Sequence, residues 1–118
     1  MMLISCHCGR VRVRFPHWPK RLTHCNCSIC RRYASLWGYF TYSSLEIDGQ
    51  EHLQTYVWGD RQIAFCHCRH CGCVTHYRPE PDCPDGRAAV NFQMAESAQV
   101  ADIPVRRFDG ADSWRYLD

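Results

Sequence analysis

Apolar and charged side chains alternate near the start of the chain. In residues 10–15 every second residue is apolar and the others are arginines, which is the two-residue period of a strand with one buried face. A short apolar stretch at residues 3–5 precedes it, and residues 7–9 have the composition of a tight turn. The pattern predicts two short strands around this turn, with Val11, Val13 and Phe15 facing the interior.

Similar short stretches follow, separated by turn signals. Aromatic and β-branched residues predict strands over residues 35–42, 45–47, 53–58, 87–92 and 105–108. Asp48-Gly49 and Gly59-Asp60 indicate turns, and residues 79–86 contain three prolines and indicate a loop. Only residues 28–33 indicate a helical turn. The sequence therefore predicts an all-β fold, in one domain over residues 1–118.

Composition and charge narrow the class of protein. Charged residues make up 22% and hydrophobic residues 46% of the 118 residues, as in ordinary globular domains. The net charge is only +2 and the arginines are dispersed, which predicts neither a nucleic acid nor a membrane partner. The N-terminal residues lack the pattern of a secretory signal, and no apolar run could span a bilayer. We therefore expect a cytoplasmic protein.

Ten cysteines require an explanation in a chain of this size. Cytosolic thiols stay reduced, which disfavours a disulfide framework. The cysteines form a CxC, a CxCxxC and a later CxxC, and cysteines at such spacings are good chelators of zinc. We therefore expect two zinc ions, one in a closed site and one in an open site.

The closed site is predicted from two cysteine pairs, each followed directly by a glycine. Cys68 and Cys71 have the form of a zinc knuckle, in which the glycine permits the left-handed turn. A structural zinc needs four ligands, and Cys6 and Cys8 are the natural complement. The alternative is that Cys6 and Cys8 are merely small buried residues.

The second group contains an odd number of ligands. Cys25, Cys27 and Cys30 can hold one zinc from a single loop, and three protein ligands leave the fourth position for water or substrate. A thiol substrate would be a suitable fourth ligand. The alternative is that a further side chain closes the site. The candidates for closing it are His24, His67, His70, Cys66 and Cys73.

Other side chains close to these motifs have weaker assignments. Arg31 and Arg32 directly follow the three-cysteine motif, and they are either a solvated pair or bidentate partners for the carboxylates of an acidic thiol. Cys66 and Cys73 are expected to pack in the core. Cys83 lies in the proline-rich loop and has no evident partner.

Three cysteine motifs, in this order, are specific enough to indicate a family. The segments at residues 5–9, 24–32 and 68–72 resemble those of the glutathione-dependent formaldehyde-activating enzyme family, which includes centromere protein V. Weaker matches are residues 87–91, Phe108-Asp109-Gly110 and Trp114. The resemblance extends over nearly the whole chain.

The resemblance implies a fold, two metal sites and an activity. The fold would be a β-tent of packed antiparallel sheets. The activity would be addition of glutathione to formaldehyde, giving S-(hydroxymethyl)glutathione, which is the reaction class of carbon–sulfur lyases. The implied ligands are Cys6, Cys8, Cys68 and Cys71 for a structural zinc, and Cys25, Cys27 and Cys30 for a zinc near bound glutathione.

The leading functional hypothesis is thus a zinc enzyme that adds a glutathione-like thiol to formaldehyde or a related small aldehyde. Two alternatives stay open at this point. One is a non-catalytic module whose zinc ions only stabilise a protein-binding surface. The other is a thiol or zinc sensor that loses a loosely held metal ion.

Overall fold

A computed structural model describes residues 1–118, which form ten strands and two short helices. The strands of the N-terminal half are β1 (Met2–Ser5), β2 (Arg12–Phe15), β3 (Leu22–Cys25), β4 (Trp37–Thr41), β5 (Glu46–Asp48) and β6 (Leu53–Val57). Those of the C-terminal half are β7 (Ile63–Cys68), β8 (Val74–Pro79), β9 (Arg87–Asn91) and β10 (Val105–Phe108). The helices are α1 (Ser28–Tyr33) and α2 (Ser97–Val100), and neither is long enough to cross a bilayer.

The strands form two sheets, which confirms the all-β prediction. A three-stranded sheet has the order β1-β2-β5, and a seven-stranded sheet has the order β10-β3-β4-β9-β8-β7-β6. Every pairing is antiparallel except that of β10 with β3, in which Phe108 lies beside Cys25. Because these two strands run in the same direction, the segments that follow them emerge at the same edge of the sheet.

The main core lies between the two sheets. Val11, Val13 and Phe15 are completely buried, as their alternation with arginines predicted. The ring of Phe15 packs edge-on against Phe92 at a centroid distance of 5.1 Å and lies 5.9 Å from Phe40. These contacts join the small sheet to one face of the large sheet.

The opposite face of the large sheet carries a second, smaller core. Trp37 of β4, Phe65 of β7 and Tyr77 of β8 pack together here, and the Trp37 and Tyr77 rings are 5.1 Å apart. Strand β9 contributes to both cores, because Ala89 faces this cluster while Val90 faces the main core. Cys25 and Cys30 belong to the smaller core, so it supports a cysteine motif directly.

Strands β3, β7 and β8 were not among the strands predicted from the sequence, and β3 and β7 carry cysteines of the two motifs. β3 ends at Cys25 and β7 ends at Cys68, so each strand delivers a cysteine to the edge of the large sheet. Their local patterns are weak because β3 is short and has one exposed position, and β7 is buried on both faces. Pairing with neighbouring strands, which the local pattern does not record, stabilises them.

A fully buried histidine makes stability depend on pH. Burial, assisted by the charge of Arg78, lowers the pKa of His76 from 6.5 to about 4, and its Nδ1 atom lies 2.8 Å from the Thr75 hydroxyl. At pH values between these two pKa values, His76 is therefore protonated in the unfolded chain but neutral in the folded chain. We expect the unfolding free energy to fall by about 2 kcal/mol as the pH drops from about 7 to about 5.

The measurement is denaturant unfolding at several pH values, with His76→Gln as the comparison. The variant should lose less stability over this range than the wild type. Equal losses in the two proteins would contradict the assignment of the effect to His76.

Candidate functional site

Four cysteines from distant parts of the chain meet in what we term the four-cysteine cluster: Cys6, Cys8, Cys68 and Cys71. Their sulfurs all lie within 4.8 Å of one another, with separations of 3.7 Å for Cys6–Cys8 and 3.6 Å for Cys8–Cys68. Sulfurs placed about 2.3 Å from a tetrahedral zinc are about 3.8 Å apart. Disulfide sulfurs are only about 2.05 Å apart. The spacing therefore fits a tetrahedral metal ion.

Two tight turns shape this cluster. The glycine after each cysteine pair has a positive φ, +82° in the first turn and +80° in the second. Backbone N–H groups then point at the sulfurs: Val11 donates to Cys6 at 3.3 Å, and His70 donates to Cys68 at 3.4 Å. Such donors stabilise thiolates, which are the form that binds metal.

The thiols of this cluster have opposed pKa shifts. Burial disfavours the thiolate of Cys71, but backbone N–H groups of Cys73 and Cys8 outweigh it and lower the pKa to about 5. Burial raises the pKa of Cys6 to about 11. Without a cation, the cluster must therefore retain protons among its sulfurs. A cation with four thiolate ligands removes that need.

The second group, which we term the three-cysteine cluster, comprises Cys25, Cys27 and Cys30. Cys25 ends β3, Cys27 caps α1 by accepting the N–H of Cys30 at 3.4 Å, and Cys30 lies inside the helix. The CxCxxC spacing thus places two ligands within the first helical turn. The three sulfurs lie within 4.8 Å of one another, and no histidine or carboxylate joins them at that spacing.

Each of these three sulfurs accepts an N–H group. The indole of Trp37 donates to Cys30 at 3.3 Å, and the backbone N–H of Cys27 donates to Cys25 at 3.5 Å. The Cys30 thiol donates to Cys25 as well, which lowers the pKa of Cys25 to about 5 and raises that of Cys30. The cluster is therefore arranged to carry negative charge.

A segment far along the chain completes this cluster. The Asn26 amide donates to Asp109 Oδ1 at 3.0 Å, and the backbone N–H of Ala111 donates to Asn26 Oδ1 at 2.9 Å. These bonds hold Gly110 directly over Cys25. Sequence reasoning assigned no site role to Asn26, Trp37 or Gly110. The sequence feature that could have indicated a role for this segment was the Asp109-Gly110 pair.

The two arginines lie beside the cluster without being tied to it. Arg31 and Arg32 occupy the last turn of α1 and are exposed, and Arg32 donates to the Ser28 carbonyl at 2.8 Å. Arg32 also lines a cavity of about 610 Å³ together with Tyr33 and residues near the four-cysteine cluster. None of the three cysteines lines that cavity. The substrate-binding role of the arginines stays a prediction.

The candidates for closing the three-cysteine cluster lie elsewhere. His24 is exposed on β3, and His67 lies 3.3 Å from the Gln54 side chain across the β6–β7 pairing. His70 lies in the turn of the four-cysteine cluster and contacts His52 at 3.0 Å.

Of the two cysteines expected to pack in the core, Cys66 and Cys73, core packing is confirmed for Cys66. Cys66 is buried in β7, with its sulfur 3.6 Å from the Ala64 carbonyl oxygen. Cys73 is only partly buried and packs against the four-cysteine cluster. Cys83 is exposed in its loop. None of the three joins a sulfur cluster at ligand spacing.

Comparison with known proteins agrees with this arrangement. Residues 1–105 match the family model described as glutathione-dependent formaldehyde-activating enzyme. A Halomonas elongata protein provisionally named as such an enzyme is 44% identical over 59 residues, which span 44% of this chain and 37% of the relative. The aligned part is thus just over a third of that relative's length.

The fold has a counterpart among solved structures. The crystal structure of a Rhodobacter sphaeroides protein superposes with a TM-score of 0.71 at 27% identity, covering 88% of this chain and 99% of the other. The family match covers both sulfur clusters. The chain therefore belongs to the glutathione-dependent formaldehyde-activating enzyme family.

Proposed function

We propose that this protein adds a glutathione-like thiol to formaldehyde or a related small aldehyde, as a zinc-dependent carbon–sulfur lyase acting in the cytoplasm. The reaction would take place at the three-cysteine cluster. The four-cysteine cluster would hold a second zinc whose role is to stabilise the fold. Family membership supports the class of substrates, and the two clusters support the number of metal ions.

The observation that carries the proposal is the difference in ligand number between the clusters. Four sulfurs complete the tetrahedral coordination that zinc prefers, whereas three leave one position for a substrate. This proposal is supported by the absence of any histidine at ligand spacing from the three sulfurs. Cys25, Cys27 and Cys30 are therefore proposed as the catalytic metal ligands.

The chain's own groups would prepare this site for a thiol. A zinc ion bound here would supply positive charge that lowers the pKa of an incoming thiol. Trp37 donates its indole N–H to Cys30, which limits how strongly three thiolates repel a further anionic sulfur. Phe65 and Tyr77 pack beneath Trp37 and keep its indole in place.

Substrate orientation is the remaining requirement. Addition of a thiol to formaldehyde is intrinsically easy, so the enzyme would gain most by holding the two reactants together. Arg31 and Arg32 follow the cluster on α1 and are free to reach solvent. We propose that they bind the carboxylates of the thiol substrate.

The test is exchange spectroscopy by NMR on glutathione and formaldehyde, with zinc-loaded wild type and the Cys27→Ser variant. The wild type should accelerate interconversion with S-(hydroxymethyl)glutathione, and the variant should lose that acceleration because its metal site loses one of three ligands. Circular dichroism of the variant provides the control for folding. Equal exchange rates with and without wild-type protein would end the proposal.

A further inference from the structure

The C-terminal loop, which comprises residues 109–116, covers the three-cysteine cluster and lies beyond the residues that match the family model. Strand β10 brings it there, because its parallel pairing places Phe108 beside Cys25. The Tyr116 hydroxyl lies 3.1 Å from that of Thr23, and Phe108 pairs with Tyr116. The loop is thus anchored to β3 at both of its ends.

Asp109 organises the inside of this loop. Its carboxylate accepts hydrogen bonds from the Asn26 amide at 3.0 Å and from the Ser113 hydroxyl at 2.9 Å. Its backbone oxygen accepts the N–H of Trp114 at 2.7 Å. These bonds fix the direction of the peptide group that follows Asp109. That peptide group carries the N–H of Gly110, the residue whose backbone lies against Cys25 Sγ.

The space around Gly110 is also restricted. A Cβ atom at this position would lie 2.6 Å from Cys25 Sγ and 3.2 Å from Cys27 Cβ. The φ angle of Gly110 is not positive, so the backbone conformation does not require glycine here. The close approach to the sulfur is what requires it.

We propose that Gly110 is a positioning residue of the three-cysteine cluster. Its N–H group orients Cys25 Sγ, and because it has no side chain, it leaves room for this sulfur. Asp109 and Asn26 act through Gly110 by holding its peptide group. The inference rests on the proposed metal ion at this cluster. Outer contacts of this kind typically change metal affinity by about 10- to 100-fold.

The experiment compares metal affinity in wild type and Gly110→Ala by competition with a coloured chelator, using Zn²⁺ alone. Gly110→Ala should weaken one of two bound ions by about tenfold or more, and leave the other ion nearly unchanged. Asp109→Ala is the second variant, because it releases the peptide group without adding an atom beside Cys25. It should weaken the same ion.

Gly86→Ala is the matched control. A Cβ at Gly86 would lie 2.7 Å from Pro79 Cγ, a similar clash at an ordinary φ angle, in a loop that does not contact either cluster. It should leave both affinities unchanged. If Gly110→Ala weakens both ions equally, or neither, the inference is overturned, as it is by a wild type that binds a single ion.

A spectroscopic signature tests the hydrogen bond itself. In protein loaded with ¹¹³Cd²⁺, the Gly110 amide proton should show scalar coupling to the metal through Cys25, which a merely structural role would not produce. Absence of this coupling in loaded wild type counts against the inference. Normal coupling and selective weakening, without acceleration of glutathione exchange, would overturn the proposed function alone. Accelerated exchange with unchanged Gly110→Ala affinity would overturn the inference alone.

Discussion

Replacement of Cys68 by serine is expected to unfold the protein. Cys68 is completely buried at the end of β7, and its sulfur lies 3.6 Å from that of Cys8 in the N-terminal turn. The proposed structural zinc thus connects the β1–β2 hairpin to the large sheet. Metal binding contributes on the order of 10 kcal/mol to folding in small zinc domains. That is as large as the whole stability of a typical domain, about 5–15 kcal/mol.

The measurement is thermal unfolding followed by circular dichroism, together with the number of zinc ions per chain. Cys68→Ser should show no cooperative transition, and a strong chelator should have the same effect on the wild type. Cys83→Ser is the control, because Cys83 is exposed and belongs to neither cluster. A Cys68→Ser protein that unfolds at the wild-type temperature would show that this cluster does not hold the fold together.

Replacement of Phe15 by alanine should have the next largest effect, a loss of about 3–5 kcal/mol. Phe15 is fully buried where the small sheet packs on the large one, and its ring contacts Trp18, Phe40 and Phe92. Alanine would leave a cavity among three aromatic rings that belong to different segments. Phe40 is held in β4, and Trp18 and Phe92 lie in segments that directly follow β2 and β9, so they cannot easily move to fill it, which places the cost in the upper range.

Urea unfolding at neutral pH measures this loss, with Tyr56→Ala as the matched aromatic control. Tyr56 lies on the edge strand β6 and is 49% exposed, so its removal should change stability by only about 0.5 kcal/mol. Metal content should stay at the wild-type level in both variants. A Phe15→Ala variant no less stable than Tyr56→Ala would mean that the packing of the sheets contributes little.

Local patterns in the sequence anticipated much of the fold. Alternation over residues 10–15 predicted both the strand and its buried face, because side chains on a strand point to opposite sides in turn. The helical turn at residues 28–33 coincides with α1. The grouping of cysteines within each motif was also readable, since ligands two or three positions apart need only a turn to meet.

Long-range contacts lay beyond such patterns. The expected antiparallel pairing describes every strand pair except β3 with β10, and that exception brings Gly110 to Cys25. Trp37 belongs to the smaller core, and its indole also donates to Cys30. Strand order and register produce these contacts, and neither can be inferred from the residues of one segment alone.

The sequence by itself determined the strand faces, the cysteine motifs and the family, because each depends on residues close together in the chain or on motifs in a set order. Only the tertiary structure decided which distant groups surround the sulfurs and which cavity Arg32 faces. Those outcomes depend on how two sheets and a C-terminal loop pack in space. Contacts across 85 residues, such as Cys25 with Gly110, leave no periodic signal in the chain.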